Sequence, residues 1–417
     1  MPPLARTDLG AVEALPIDKI DVSKATLFES GEIFSHLARL RRDEPVHYCP
    51  ESAYGDYWSI TKYKDIVDIE ISHKIFSSST ELGGTSLMEL PKELRRQSFI
   101  GMDPPRHDQH RKIVSPVVAP GNLAKLQYVV RERSAEILDA LPVGETFDWV
   151  ENVSVELTTQ MLATLFDFPW EDRHKLPYWS DLFTADVRAG GGGLVTSEED
   201  REEKLMECLD YFTRLWNERI NAPPGPDLIS MLTQSEEMRK LSQREFFGLL
   251  NLLIVGGNDT TRNSISGGVV ALNQHPGEYS KLRANPELII SMVPEIIRYQ
   301  TPIAHMRRTA LYDVEFRGKV IKKGERVVMW YLSGNRDADA IENPDVFIID
   351  RARPREHLSF GFGIHRCLGN RLAELQLRIL WEEILKRFSY VEVVGEPVRV
   401  CSNFVNGIKS LPVKLHA

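Results

Sequence analysis

Cysteine is scarce in this chain: Cys49, Cys208, Cys367 and Cys401 are four residues scattered over 417, with no CxxC pair among them. That scarcity excludes a disulfide framework, offers no zinc-type ligand spacing, and suits a reducing compartment. Basic charge is also in short supply. Lys and Arg number 51 against 60 Asp and Glu, a formal net charge of −9. The balance argues against nucleic acid as a bulk partner and leaves room only for a local basic patch. No run of about 20 apolar residues is present to span a bilayer. Residues 1–24 mix Pro, Asp, Glu, Arg and Lys and lack the apolar stretch of a signal peptide. A soluble, cytoplasmic protein without a membrane span is expected. Pro/Ser-rich linkers, internal repeats and low-complexity tracts are missing too. The expectation is a single domain over 1–417, with 1–30 as an N-terminal extension.

What is present is helical periodicity interrupted by short β-type stretches. Residues 33–42, 63–71, 123–141, 153–168, 170–187 and 198–221 carry apolar residues at helical spacing. Val46-His47-Tyr48 and Tyr57 to Thr61 alternate like hairpin strands. The segment 77–99 is irregular and Ser-rich, with Gly83-Gly84 and Pro91, and reads either as a solvated connector or as a functional loop. Ala189 is followed by four glycines, a stretch of high backbone freedom. Residues 242–275 read as one helix, roughly 45–50 Å long at about 1.5 Å per residue.

The middle of that helix is Gly256-Gly257-Asn258-Asp259-Thr260-Thr261. Two glycines inside a helix cost about 1 kcal/mol each relative to alanine, so something must compensate. Close helix packing is one reading; a groove with a locally widened turn is the other. Asp259 and Thr260 set an acid and a hydroxyl beside it. Earlier in the chain, Asp103-Pro104-Pro105 opens a helix that carries His107 and Arg111 on one face. Glu295 and Arg298 stand at i, i+3, a spacing that by itself usually marks a surface pair.

The stretch Phe360-Gly361-Phe362-Gly363-Ile364-His365-Arg366-Cys367-Leu368-Gly369 presents one cysteine on a glycine-rich turn running into an amphipathic helix, 368–388. A cysteine at a helix N-terminus is favoured as thiolate. A lone cysteine is ordinarily a buried apolar residue, but the pattern Phe-Gly-x-Gly-x-His-x-Cys-x-Gly resembles, position for position, the haem-ligand loop of the cytochrome P-450 superfamily.

The resemblance extends from about residue 33 to the C-terminus and implies a mainly α fold with a smaller β region. In that fold a triangular helical prism holds the haem between the long helix and the cysteine-loop helix. It implies haem b (iron protoporphyrin IX) with Cys367 as metal ligand and Phe360 and Gly256 against the cofactor. His107, Arg111, Arg308 and His365 would meet the propionates, with Arg307 as the rival to Arg308. Gly-Gly-x-Asp-Thr resembles the oxygen-activation motif, with Asp259 and Thr260 as catalytic acid and alcohol and Gly256 where alanine is commoner. Glu295, Arg298 and Arg351 would form the family's structural cluster.

The implied activity is insertion of one oxygen atom from O2 into an unactivated C–H bond. The sequences His357 to Cys367, Gly369 to Leu385 and Met306 to Ala310 resemble most closely the soluble bacterial hydroxylases that attack the terminal methyl of medium-chain n-alkanes and fatty acids. A hydrophobic small-molecule channel is implied, with Leu252, Val255, Gly256, Ile303, Ala304, Leu87, Met88, Phe404 and Val405 as walls. Lys92, Arg95, Arg96 or Arg188 would meet a fatty-acid carboxylate. Electrons would come from a ferredoxin with its ferredoxin reductase, docking near Arg106, Lys112, Arg366 and Arg371. A monomer is expected. The same chemistry on a terpenoid, steroid or aromatic is the alternative, and a haem-thiolate sensor without turnover is the remote one.

Overall fold

The computed structural model describes residues 9–417, so positions 1–8 of the expected N-terminal extension lie outside the described residues. Helices dominate, with short strands gathered into small sheets. The chain divides into two compact units, and it passes between them several times.

The first unit comprises the described residues up to Leu94, then Gly267–Cys367 and Pro397–Lys409. Its main sheet pairs Val46–Cys49 with Tyr57–Ile60 as an antiparallel hairpin, in the register Val46 opposite Ile60. Tyr57–Ile60 then runs parallel to Arg326–Met329. That strand is antiparallel to Met306–Ala310, which pairs in turn with Phe76–Ser77. Strands this short and this buried are held by the apolar clusters on them. One joins Ile20, Val22, Phe28, Leu37, Leu87, Ala304, Val328 and Trp330; another joins Ile60, Ile66, Ile69, Met329, Tyr331 and Leu358. Ile20, Val22, Ser23, Ala25 and Phe28 are thus buried in this unit. The helix Tyr63–Ile71 has the bounds its periodicity predicts. Glu295, Arg298 and Arg351 meet as the resemblance implies. Arg298 donates to both Glu295 oxygens at 2.7 and 2.8 Å, and Arg351 to the same oxygens at 3.0 and 3.2 Å, with the carboxylate fully buried. Two guanidiniums on one buried carboxylate make the pairing geometrically specific.

The second unit comprises Arg95–Ser266, Leu368–Glu396 and Ser410–Ala417. Its core is aromatic, with Phe166, Phe168, Trp179, Tyr211, Phe212 and Phe247 packed among leucines. Helix Pro120–Asp139 lies on helix Asn370–Arg387, where Arg131 meets Glu383 at 2.5 Å and Arg387 meets Asp139 at 2.6 Å. The expected 153–168 helix begins with a π-turn, Val150–Val155, before the α-helix Glu156–Phe166. The expected 170–187 helix shortens to Lys175–Thr184. The long helix is Gln243–Gln274, started by a reciprocal cap: Ser242 Oγ accepts from the Glu245 N–H, and the Glu245 carboxylate from the Ser242 N–H. Its last turns, from Gly267, belong to the first unit.

Candidate active site

The two mid-helix glycines turn out to serve different ends. A Cβ on Gly257 would stand 2.8 Å from Leu162 Cδ1, so this glycine is there for close packing. A Cβ on Gly256 would meet nothing within 4 Å, and the residue is exposed. Packing and groove are therefore both present, one residue apart. The widened turn is not. The chain runs on as α-helix here, with the Thr260 hydroxyl donating to the Gly256 carbonyl at 3.0 Å.

Asp259 points into the second unit. Its Oδ1 lies 2.7 Å from the Arg262 guanidinium and accepts from Ser180 Oγ at 3.2 Å, and Arg262 also pairs with Asp181 at 2.5 Å. Ser180 and Asp181 come from helix Lys175–Thr184. Burial pushes the Asp259 carboxyl up to about 6, against the pull of Arg262. Asp259 and Thr260 are neighbours in sequence, yet neither hydrogen-bonds to the other.

On the helix Arg106–Val114, His107 is buried, with Nδ1 2.7 Å from Asp108 and its ring edge-on to Phe99. Arg111, one turn on, is half-buried. Leu252 and Val255 are half-buried against the same aromatic core as the long helix they stand on. Arg96 is buried under Phe183 and Phe247, with its guanidinium 5.4 and 4.7 Å from the ring centroids, and pairs with Glu202.

In the first unit, the cysteine loop is held by backbone bonds from Gly361 N–H to Leu358 carbonyl and from Cys367 N–H to Phe360 carbonyl, both 2.7 Å. Gly361 and Gly363 take left-handed φ of +65° and +63°. At Gly363 a Cβ would come within 2.6 Å of the Glu70 carbonyl, so the loop lies directly on the end of the Tyr63–Ile71 helix. Cys367 is exposed and forms no disulfide. It stands ahead of the helix rather than in its first turn: Gly369 is the N-cap of Asn370–Arg387, two residues further on. His365 closes the turn Gly363–His365 and is half-buried.

Arg307 and Arg308 are both buried and point to different partners. Arg307 bonds Glu89 at 2.9 Å and the Leu82 carbonyl at 2.9 Å; Arg308 bonds Glu70 at 3.1 Å. Five of the expected channel residues are gathered by backbone bonds and one histidine. The Ala304 N–H donates to the Phe404 carbonyl at 2.9 Å, Ile303 bridges Val405, and His305 accepts from the Leu87 N–H at 3.3 Å while meeting the Asn403 carbonyl at 3.1 Å. Met88 follows Leu87, half-buried.

The family model described as Cytochrome P450 matches residues 143–415. This chain is a cytochrome P450. The P450 is 35% identical over 408 residues to the linalool 8-monooxygenase of Pseudomonas putida, covering 96% of this chain and 99% of that one. It is also similar to two solved structures. CYP153D17 from Sphingomonas sp. PAMC 26605 is 46% identical with a TM-score of 0.90, over 96% of this chain and 100% of that one. The cytochrome P450-153 from Novosphingobium aromaticivorans is 45% identical with a TM-score of 0.88, over 95% and 99%. The P450 is thus a haem-thiolate monooxygenase that uses O2, haem b and a hydrophobic substrate.

Taken by itself, each unit carries residues of the kinds that cofactor would need. A flat group needs bare backbone to lie against, and Cβ atoms at Gly256 and at Gly369 would both enter open space. A thiolate ligand needs an accessible sulfur, and Cys367 is the one exposed cysteine. Two carboxylates need cationic partners, and His107, Arg111, Arg308 and His365 supply imidazole and guanidinium groups. Sequence reasoning missed Glu70, Tyr331, Ser180, Asp181 and Arg262. Arg262 could have been found from its i, i+3 spacing to Asp259, whereas the other four are identified by partners far along the chain.

Proposed function

We propose that this P450 hydroxylates the terminal methyl of medium-chain n-alkanes or fatty acids, with electrons from a ferredoxin and its reductase, and that its two units work as one monooxygenase domain. The observation that carries the reading is the wall of Leu87, Ile303, Ala304, Phe404 and Val405, fastened by His305 and by backbone bonds. A primary C–H bond is stronger than its secondary neighbours, so terminal attack has to be enforced by position, and rigid apolar walls are what position a chain end. The resemblance of the cysteine loop and its helix to terminal hydroxylases points the same way. Arg96, one of the four candidate partners for a fatty-acid carboxylate, is paired with Glu202, and alkane and acid both stay within the proposal. One buried CH2 contributes about 0.8 kcal/mol, so the chain-length preference is expected to be broad.

Cys367 would hold the iron, Phe360 and Gly256 would lie against the cofactor, and His107, Arg111, Arg308 and His365 would serve its propionates. Haem bound there supplies oxygen activation and the attack on the C–H bond. Leu252, Val255 and Met88 exclude water. Asp259, raised toward the working pH, is suited to hand on protons, and the Thr260 hydroxyl to deliver them. Arg262 and Ser180 hold Asp259 off Thr260, so a bridging water or a turn of the carboxylate completes that path.

Spectral titration with matched alkanes, fatty acids and terpenoids, followed by product analysis with ferredoxin and reductase, tests the reading. Terminal alcohols from alkanes are expected. A terpenoid preference would instead favour the second reading, which the 35% identity to a linalool 8-monooxygenase supports. Cys367→Ser is expected to abolish the red-shifted Soret band of the ferrous carbonyl adduct. Oxygen consumption that does not respond to any substrate would indicate a sensor.

A further inference from the structure

Glu70 is the buried group that neither the oxygen chemistry nor the substrate wall uses. It is 2% exposed and stands in the last turn of the helix Tyr63–Ile71. One carboxylate oxygen accepts from the Arg308 guanidinium at 3.1 Å, and the other accepts from the Tyr331 hydroxyl. Tyr331 and Arg308 are themselves 3% exposed. The cysteine loop crosses this group. A Cβ on Gly361 would lie 3.5 Å from the Tyr331 hydroxyl and 3.9 and 4.0 Å from the two Glu70 oxygens, while Gly363 rests on the Glu70 main-chain carbonyl. A carboxylate, a guanidinium and a phenol are thus packed beneath the turn that carries the cysteine, all within the first unit.

A buried carboxylate is costly unless paired, and replacing such a pair with apolar residues is commonly neutral or stabilising, so its presence calls for a use beyond stability. Arg308 offers five N–H donors, and only two hydrogen bonds are formed here, one to Glu70 and one to the Arg307 carbonyl. Donors remain for a second carboxylate.

We propose that Glu70 is a positioning residue for the haem: it aims the Arg308 guanidinium, offsets part of that cation's charge, and thereby sets how strongly the site holds a propionate and how readily its iron is reduced. The inference rests on Arg308 being a propionate partner. Negative charge fixed in a low-dielectric interior disfavours adding an electron nearby, so Glu70 acts to lower the potential. The Tyr331 hydroxyl, by hydrogen bonding to the carboxylate, draws off part of its charge.

The test uses the full-length holoprotein and three variants, with the midpoint potential read by mediated titration and haem loss read by transfer to excess apomyoglobin. Glu70→Gln keeps the shape and removes the charge; a more positive potential and slower haem loss are expected. Tyr331→Phe leaves the carboxylate in place with one donor fewer; a more negative potential is expected. A purely structural role would not move the two in opposite directions. Arg308→Gln is expected to speed haem loss at least tenfold. An unchanged potential in both Glu70→Gln and Tyr331→Phe, with Arg308→Gln still losing haem fast, overturns the inference alone. Haem loss unaltered in Arg308→Gln overturns the propionate reading beneath it. If Glu70→Gln fails to fold, the sign of the Tyr331→Phe shift decides, and a positive or absent shift counts against the proposal.

Discussion

At the scale of single residues, Asp259 shows how a group can be adjacent in sequence to its partner and still be held elsewhere. Its carboxyl is raised from 3.8 to about 6 by burial, while Arg262 and Ser180 hold one oxygen. Asp259→Asn is expected to lower substrate turnover roughly 100-fold or more, the usual worth of a positioned proton donor. Substrate-induced spectral shifts and the ferrous carbonyl band should be unchanged. The same variant carries a pH signature. A raised carboxyl pKa means the folded protein binds its proton more tightly than the unfolded chain, so this group's contribution to stability falls as pH rises through about 6. The stability of wild type relative to Asp259→Asn should therefore decline between roughly pH 5 and 7. Urea midpoints measured in parallel at the two pH values check it.

At the scale of elements, His305 is the fastening between three separate stretches of chain. Its Nε2 accepts from the Leu87 N–H, and Nδ1 must then carry the proton donated to the Asn403 carbonyl. Its ring packs on Trp330 with centroids 4.8 Å apart. Accepting at Nε2 requires the neutral ring, and burial lowers its pKa from 6.5 to about 4. The sign is opposite to that of Asp259. The unfolded chain takes up a proton that the folded one refuses, so stability is lost as pH falls from 6.5 through about 4. His305→Phe keeps a ring on Trp330 and removes both hydrogen bonds. It is expected to flatten that acid-side loss in urea titrations and to spread hydroxylation from the chain end to neighbouring carbons. Unchanged regioselectivity in the product analysis would count against a role for this wall in positioning.

At the scale of the whole molecule, a net charge of −9 gives no general attraction to an acidic partner, so the proposed ferredoxin would have to dock on local cations. Arg106, Lys112 and Arg366 are all exposed, and Arg106 also pairs with Glu245. Reversing the charge of Lys112 and of Arg366 should slow ferredoxin-driven reduction at low ionic strength, and the deficit should shrink as salt is added. Stopped-flow reduction rates over a salt series measure it, and equal rates at low salt would place the docking surface elsewhere.

The sequence by itself determined the family, the order of its motifs and most helix positions, because the cysteine loop, the Asp259-Thr260 pair and Glu295 with Arg298 are patterns of residues close together in the chain. Only the tertiary structure decided which of two adjacent glycines packs and which stays open, that Arg307 and Arg308 take different carboxylates, and that Glu70, Tyr331 and His305 matter at all. Those outcomes depend on partners hundreds of residues away in the chain, and neither spacing nor periodicity encodes which long-range neighbour a buried polar group will find.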